Sequence, residues 1–233
     1  MKLKIVAFLL LITFSTVAFG QNNITKDCNE NSYFLSSQLL AKANIRLPVF
    51  KKYCYSDKSG KYVLYLTEKN DKPFPEQILS TSIEAHLLKI SEENSLIPQW
   101  TIRDFSASGE AGMNFRSKLV ELIDIDKDGL VEPILVYRFF NKNYNGVNTD
   151  GFSGRIKIIM FYRGKKIAIR AYTGQLDGER GTIANDSFFT LPKSVQKYLV
   201  QKMADMYEKD LFGFDNSHNF LPLKEKRSEI PRK

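Results

Sequence analysis

Between Asp124 and Glu132 the chain reads Asp-Ile-Asp-Lys-Asp-Gly-Leu-Val-Glu, a run whose alternating acids turn three carboxylates to the inside of a tight loop. Gly129 permits the sharp turn and Glu132 closes the set from the far side. Hard oxygen donors at this spacing suit Ca²⁺ better than Mg²⁺, which demands a stiffer octahedral shell. The expected ligands are the side chains of Asp124, Asp126, Asp128 and Glu132, with the Leu130 carbonyl as a fifth. The spacing is not that of an EF-hand, because counting from Asp124 the twelfth position is Leu135 and Glu132 falls at the ninth. An ion held here has a structural role by default, since the sequence places no nucleophile or base beside an open coordination position. The alternative is an acidic hairpin turn that binds no ion and whose crowded carboxylates raise one another's pKa.

Other chemistry is short of raw material. The chain has two cysteines, two histidines and one tryptophan, too few for a cysteine-histidine zinc cluster, and no His-Glu-x-x-His spacing occurs. Gly151-Phe152-Ser153-Gly154 lacks the second glycine position of a nucleophile elbow, so Ser153 reads as a loop serine. A glycoside hydrolase needs only two suitably separated carboxylates, and Glu84, Glu110 and Asp177 are acids without an assigned duty. Each reads more simply as a surface acid, His86 as a hydrogen-bonded structural histidine, and no catalytic residue is assigned. The net charge of +8 is scattered and accompanied by no base-reading motif, so nucleic acid is not an expected partner. A cationic surface suits acidic glycans, lipopolysaccharide phosphates or anionic membranes better. Tyr137, Phe139, Phe140 and Tyr144 are either core residues or a sugar-stacking face.

The first twenty residues have the form of a signal peptide: basic Lys2 and Lys4, an apolar run from Ile5 to Phe14, and small residues around Ala18-Phe19-Gly20. Cleavage there exposes Gln21 and leaves a basic chain. The apolar run is shorter than the roughly 20 residues that cross a bilayer, which disfavours the alternative of a retained anchor. An exported chain, periplasmic or secreted, meets oxidising conditions, so Cys28 and Cys54 are expected to form a disulfide; the alternative is two unpaired core thiols.

These residues need a scaffold, and its elements follow from periodicity. Tyr33–Lys42 reads as a short helix, and Asp57-Lys58-Ser59-Gly60 as a turn leading into a strand at 61–66. Residues 83–90 are ambiguous between helix and strand. Strands are predicted at 100–105, 115–123, 133–140, 155–162 and 166–172, the last two joined by the tight turn Tyr162-Arg163-Gly164-Lys165. A loop is expected from Gly174 to Ser187. Val195, Leu199, Met203, Met206 and Leu211 then mark an amphipathic helix, with Pro192 at its start and Gly213 at its stop. The fold class is therefore α+β, a mainly antiparallel β-sheet with a C-terminal amphipathic helix, in one domain over 21–233 with a charged tail at about 224–233.

The strand, acidic loop, strand arrangement resembles the calcium loops of integrin-type FG-GAP repeats, which occur in several copies where this chain has one. The run Glu121 to Arg138 (ELIDIDKDGLVEPILVYR), followed by RIKIIMF at 155–161 and KKIAIR at 165–170, with WTIRD at 100–104 upstream, resembles an exported bacterial family labelled surface polysaccharide biosynthesis protein. The likeness covers roughly residues 80–175, and this chain differs by a longer Asn/Gly-rich loop from Asn141 to Gly154. It implies an envelope location and a link to polysaccharide. The functional expectation is a non-catalytic, Ca²⁺-stabilised module that binds glycan or an envelope protein. The alternative is a carboxylate-dependent polysaccharide-processing enzyme. The sequence does not specify an oligomeric state.

Overall fold

Near-continuous apolar runs let a strand bury both of its faces, and the architecture is built around two sheets whose central strands β2 and β9 do so. The computed structural model describes residues 31–74, 77–142, 154–174, 180–209 and 211. The segment expected to be a signal peptide, Cys28, Tyr144, Ser153, Asp177, Gly213, His218 and the charged tail lie outside the described residues. In chain order the elements are helix α1 (Ser37–Lys42) and strands β1 (Val49–Asp57), β2 (Gly60–Glu68), β3 (Lys72–Phe74), β4 (Gln77–Leu79), β5 (Ser82–Ile90), β6 (Leu96–Phe105) and β7 (Glu110–Phe115). Strands β8 (Glu121–Ile123), β9 (Glu132–Asn141), β10 (Gly154–Tyr162), β11 (Lys165–Thr173) and β12 (Gly181–Ala184) follow, then helices α2 (Asp186–Phe189) and α3 (Lys193–Glu208).

All strand pairings are antiparallel, as the sequence predicted from its hairpin signals. A four-stranded sheet runs β1-β2-β5-β6, and a six-stranded sheet runs β12-β11-β10-β9-β7 with β8 also paired to β9. The inner faces meet in a core that includes Leu64, Leu66, Ala85 and Ile102 from the first sheet and Leu135, Tyr137, Phe139 and Ile159 from the second. Intervening residues of the second sheet, among them Ile134, Val136, Ile156 and Ile158, pack instead on α3. The outer face of the first sheet packs on the N-terminal turns through Val63, Tyr65, Phe34 and Leu39. Burying each such side chain stabilises by ~1.5–3 kcal/mol, so β9, covered on both faces, is the best-anchored strand available to carry a site.

Helix α3 performs a second task. Val195, Leu199, Met203 and Met206 face the sheet at helical spacing, as expected. From the same helix the Tyr198 hydroxyl donates to Glu121 Oε2 at 2.9 Å and Lys202 Nζ lies 2.7 Å from Glu121 Oε1. Glu121 opens β8, so the helix fixes the strand that delivers the chain into the acidic loop.

The structure departs from expectation in four places. The helix expected over Tyr33–Lys42 is split at Ser36 into a 3₁₀ turn, Ser32–Leu35, and α1. The strand predicted over 115–123 is broken: β7 ends at Phe115, a 3₁₀ turn occupies Ser117–Leu119, and β8 begins at Glu121. The polar loop expected over 174–187 contains β12, whose Thr182 and Ala184 are buried against β11, and the start of α2. Pro192 is the residue before α3 rather than its first turn, and the helix stops at Glu208. The ambiguous segment at 83–90 is a strand, β5, held between β2 and β6.

Candidate functional site

The acidic loop leaves β8 at Ile123 and re-enters β9 at Glu132, two residues that face each other across the ladder. It is a strand-loop-strand unit, as its apolar flanks required. Asp124 organises the turn: its Oδ1 accepts from the Asp128 N–H at 3.0 Å and its Oδ2 from the Gly129 N–H at 2.8 Å. The Asp128 Oδ1 accepts from the Leu130 N–H at 2.9 Å. Gly129 sits at φ +84°, a conformation that suits a residue without Cβ. The β1–β2 turn clamps the outside, since the Lys58 N–H donates to the Gly129 carbonyl at 3.0 Å and Lys58 Nζ bonds the Asp128 carbonyl. Asp57 Oδ2 accepts from the Val131 N–H at 3.2 Å.

This geometry brings one carboxylate oxygen from each of Asp124, Asp126 and Asp128 within 4.8 Å of the others, a group that could hold a metal ion. Glu132 stands next to the three without joining that group; its Oε2 accepts from the Ile125 N–H at 2.9 Å. Burial, followed by the charges of Asp126, Asp124 and Asp128, pushes the Glu132 carboxyl up to about 7. Leu130, expected to offer a backbone carbonyl, lies on the return limb between Asp128 and β9. Acid crowding of this kind is what a bound cation relieves.

The β10–β11 turn supplies groups that the sequence did not flag. The Tyr162 hydroxyl donates to Asp126 Oδ2 at 2.7 Å, and that bond holds the phenol up at about 12. Arg163 Nη2 lies 2.8 Å from Asp128 Oδ2 and 3.5 Å from Asp126 Oδ2. The Leu130 N–H and then the Arg163 guanidinium hold the Asp128 carboxyl below its usual range. Sequence alone marks residues 162–165 only as a turn; that its tip reaches the acidic loop depends on the β9–β10 register, in which Met160 faces Ile134.

Beside the loop, the two sheets part into a cleft of about 250 Å³. Two stacked aromatic pairs line it: Tyr55 on Tyr62, with ring centroids 5.1 Å apart, and Trp100 on Phe161, at 4.2 Å and nearly parallel. Glu132, Asp57 and Arg163 supply its charges. The aromatics considered for a stacking face in the sequence do not form it: Tyr137, Phe139 and Phe140 are buried in the interior.

The remaining candidates resolve into structural contacts. His86 is buried with Nε2 2.9 Å from Glu84 Oε2 and Nδ1 3.2 Å from Thr101 Oγ1, and burial holds its pKa below the ordinary imidazole value. Glu84 also pairs with Arg103, and Glu110 forms a two-point contact with Arg155 at 2.6 and 3.1 Å. Cys54 is buried on β1 and no described cysteine is a free thiol. Among the described residues no helix is long and apolar enough to cross a membrane.

No protein-family model matches the chain, and no match was found among curated proteins or solved structures.

Proposed function

We propose that the protein is an exported cell-envelope module, non-catalytic, whose acidic loop binds Ca²⁺ and whose adjoining cleft binds glycan, with a role in surface polysaccharide biosynthesis as its setting. The observation that carries this reading is the placement of the Trp100–Phe161 and Tyr55–Tyr62 pairs around one cleft whose wall is the acidic loop. Aromatic rings with a few polar groups are what a small concave ligand site requires, and here Trp100 and Phe161 are half-buried while Tyr55 and Tyr62 are buried. Ca²⁺ is favoured over Mg²⁺ because the donors are several carboxylates on a wrapped loop. The ion has a structural role: it fixes Leu130, Val131 and Glu132, which form one side of the cleft. A Cys28–Cys54 disulfide is part of the same reading, tying the N-terminal segment to β1.

A carboxylate-dependent polysaccharide-processing enzyme is the second reading, favoured by one observation: Glu132 and Asp57 line the same cleft. Asp57 is already committed, with Oδ1 accepting from the Ser59 N–H at 2.8 Å and Oδ2 from the Val131 N–H. That commitment is why binding is preferred over hydrolysis.

Trp100 is the chain's single tryptophan, so its emission reports on this cleft alone. Titrating neutral and acidic oligosaccharides in Ca²⁺ buffer is expected to change that emission saturably for at least one glycan class. An emission unmoved by every glycan would refute the reading, and release of shortened oligosaccharides would replace it with the enzyme.

A further inference from the structure

The two sheets do not end together. Strand β6 closes the four-stranded sheet and lies along β10, with Trp100 stacked on Phe161, Asp104 paired with Lys157, and Ile102 and Ile159 in one core. β11 and β12 continue the six-stranded sheet past it, and with strands ~4.8 Å apart they project roughly 10 Å beyond the β6 edge. The face of this ledge that points toward the first sheet carries Lys166, Ala168, Arg170 and Tyr172, the cross-strand partners of Phe161, Ile159, Lys157 and Arg155, with Ile183 beside Arg170. Lys166 and Arg170 are exposed and make no ion pair among the described residues, and Ala168, Tyr172 and Ile183 are half-buried.

The edge of β6 beside this ledge is open. The Ser106 N–H bonds the Thr81 carbonyl, so by antiparallel alternation Asp104 and Ile102 direct their main-chain groups to β5, while Phe105, Arg103 and Thr101 direct theirs outward. No strand pairs with that edge among the described residues, and the Phe105 N–H turns back to Asp104 Oδ1 at 3.0 Å. The other edges of the two large sheets are blunted: β1 by Lys51, Lys52 and a bulge, β7 by a bulge, and β12 by its length of four residues. On β6 the irregularity and Pro98 lie before Trp100, which leaves residues 100–105 regular.

We propose that an extended acidic segment of a partner protein adds to β6 as a fifth strand and lies on the β11–β12 ledge. Ladder bonds to the outward groups of Thr101 and Arg103 supply the affinity, and side chains at alternate positions meet the ledge. Same-face residues repeat every ~6.7 Å on both strands, so acids at positions i and i+4 meet Lys166 and Arg170 while an apolar residue at i+2 meets Ala168. A row of main-chain N–H and C=O groups is matched by a polypeptide and not by a glycan, so the proposal stands apart from the glycan reading above. A second copy of the chain fits badly. Paired antiparallel through β6, the projecting ledges of the two copies would compete for one layer; paired parallel, Arg103 of one would face Lys166 and Arg170 of the other.

Fluorescence anisotropy of a labelled, end-capped peptide Thr-Thr-Glu-Thr-Val-Thr-Glu-Thr-Thr, combined with amide hydrogen exchange of the purified protein, tests it. Saturable binding is expected, with exchange slowed at Thr101 and Arg103 and unchanged on β1. Replacing both glutamates of the peptide by lysine, or N-methylating alternate peptide bonds of the acidic peptide, is expected to weaken binding at least tenfold. Lys166→Glu with Arg170→Glu is expected to reverse the preference toward the lysine peptide, a gain that a folding defect does not produce. Absence of saturable binding up to millimolar peptide, an N-methylated peptide that binds as well as its parent, or protection on β1 in place of β6 would overturn the proposal. So would a concentration-dependent dimer in sedimentation whose exchange protection falls on β6, which would give the edge to a second copy.

Discussion

Asp104→Asn isolates one polar contact that links the two sheets, between β6 and the β9–β10 pair. Asp104, on β6 of the first sheet, accepts from the Tyr137 hydroxyl at 2.9 Å on β9 and pairs with Lys157 on β10. The Lys157 and Asp104 side chains are only 11% and 18% exposed. Removing one member of a buried pair costs ~3–5 kcal/mol, because the surviving charge stays desolvated, and this residual exposure places the cost near the lower end. In a domain of this size a loss of about 3 kcal/mol lowers Tm by ~6–12 °C. The further change Lys157→Met removes the stranded ammonium, so Asp104→Asn with Lys157→Met is expected to lie within ~1 kcal/mol of the unaltered chain. Urea and thermal unfolding followed by circular dichroism supply the comparison. An Asp104→Asn chain within ~1 kcal/mol of the parent, or a double variant less stable than the single one, would refute the reasoning.

Three more outcomes follow from named contacts. Gly129→Ala forces an alanine to φ +84°, with its Cβ 3.0 Å from the Lys58 Cδ; the backbone term dominates, and a loss of ~1–2 kcal/mol in chemical denaturation is expected, with no loss counting against the loop geometry. Glu68 is buried, accepts from the Phe115 N–H at 2.7 Å, and has its carboxyl raised by burial. A raised acid contributes stability that is complete below its unfolded pKa of ~4.3 and lost as pH rises through the folded value, so Glu68→Gln should gain on the parent between pH 4 and 7, and a melting difference that ignores pH would contradict this. Non-reducing peptide mapping is expected to recover Cys28 linked to Cys54, with reduction costing roughly 3 kcal/mol, whereas two alkylatable thiols in the folded chain would dismiss the staple.

Much of the scaffold was legible because its signals are local. The hairpin at 155–172 has a turn of the required type between two apolar runs, and the loop acids recur with a spacing that specifies their grouping. β12 was missed because Gly181-Thr182-Ile183-Ala184 is short and weakly patterned; it is a strand through its pairing with β11. The break before β8 was missed because Phe115 to Ile123 looks continuously strand-like, although the Arg116 N–H bonds the Val136 carbonyl and sends the chain into a 3₁₀ turn. Glu132 was expected within the acidic set, but the group comprises the three aspartates, and Glu132 stands beside them with its Oε2 accepting from the Ile125 N–H. The cleft was illegible for a different reason: Trp100 and Phe161 lie on different sheets, and only sheet-on-sheet packing makes them neighbours. Arg163 reaches Asp128 through the same long-range register.

The central claim is that the acidic loop holds a cation which stabilises the wall of the cleft. Thermal unfolding in EDTA and then with added Ca²⁺, for the parent and for Asp126→Ala, tests it most directly, because an ion bound only by the folded state must raise its stability. The account predicts a Ca²⁺-dependent rise in Tm of the parent, approaching a gain of ~2.7 kcal/mol at a hundredfold excess over Kd, and no such rise in Asp126→Ala. Parent and variant melting alike with and without Ca²⁺ would contradict it and leave the loop an acidic turn balanced by Arg163 and Lys58.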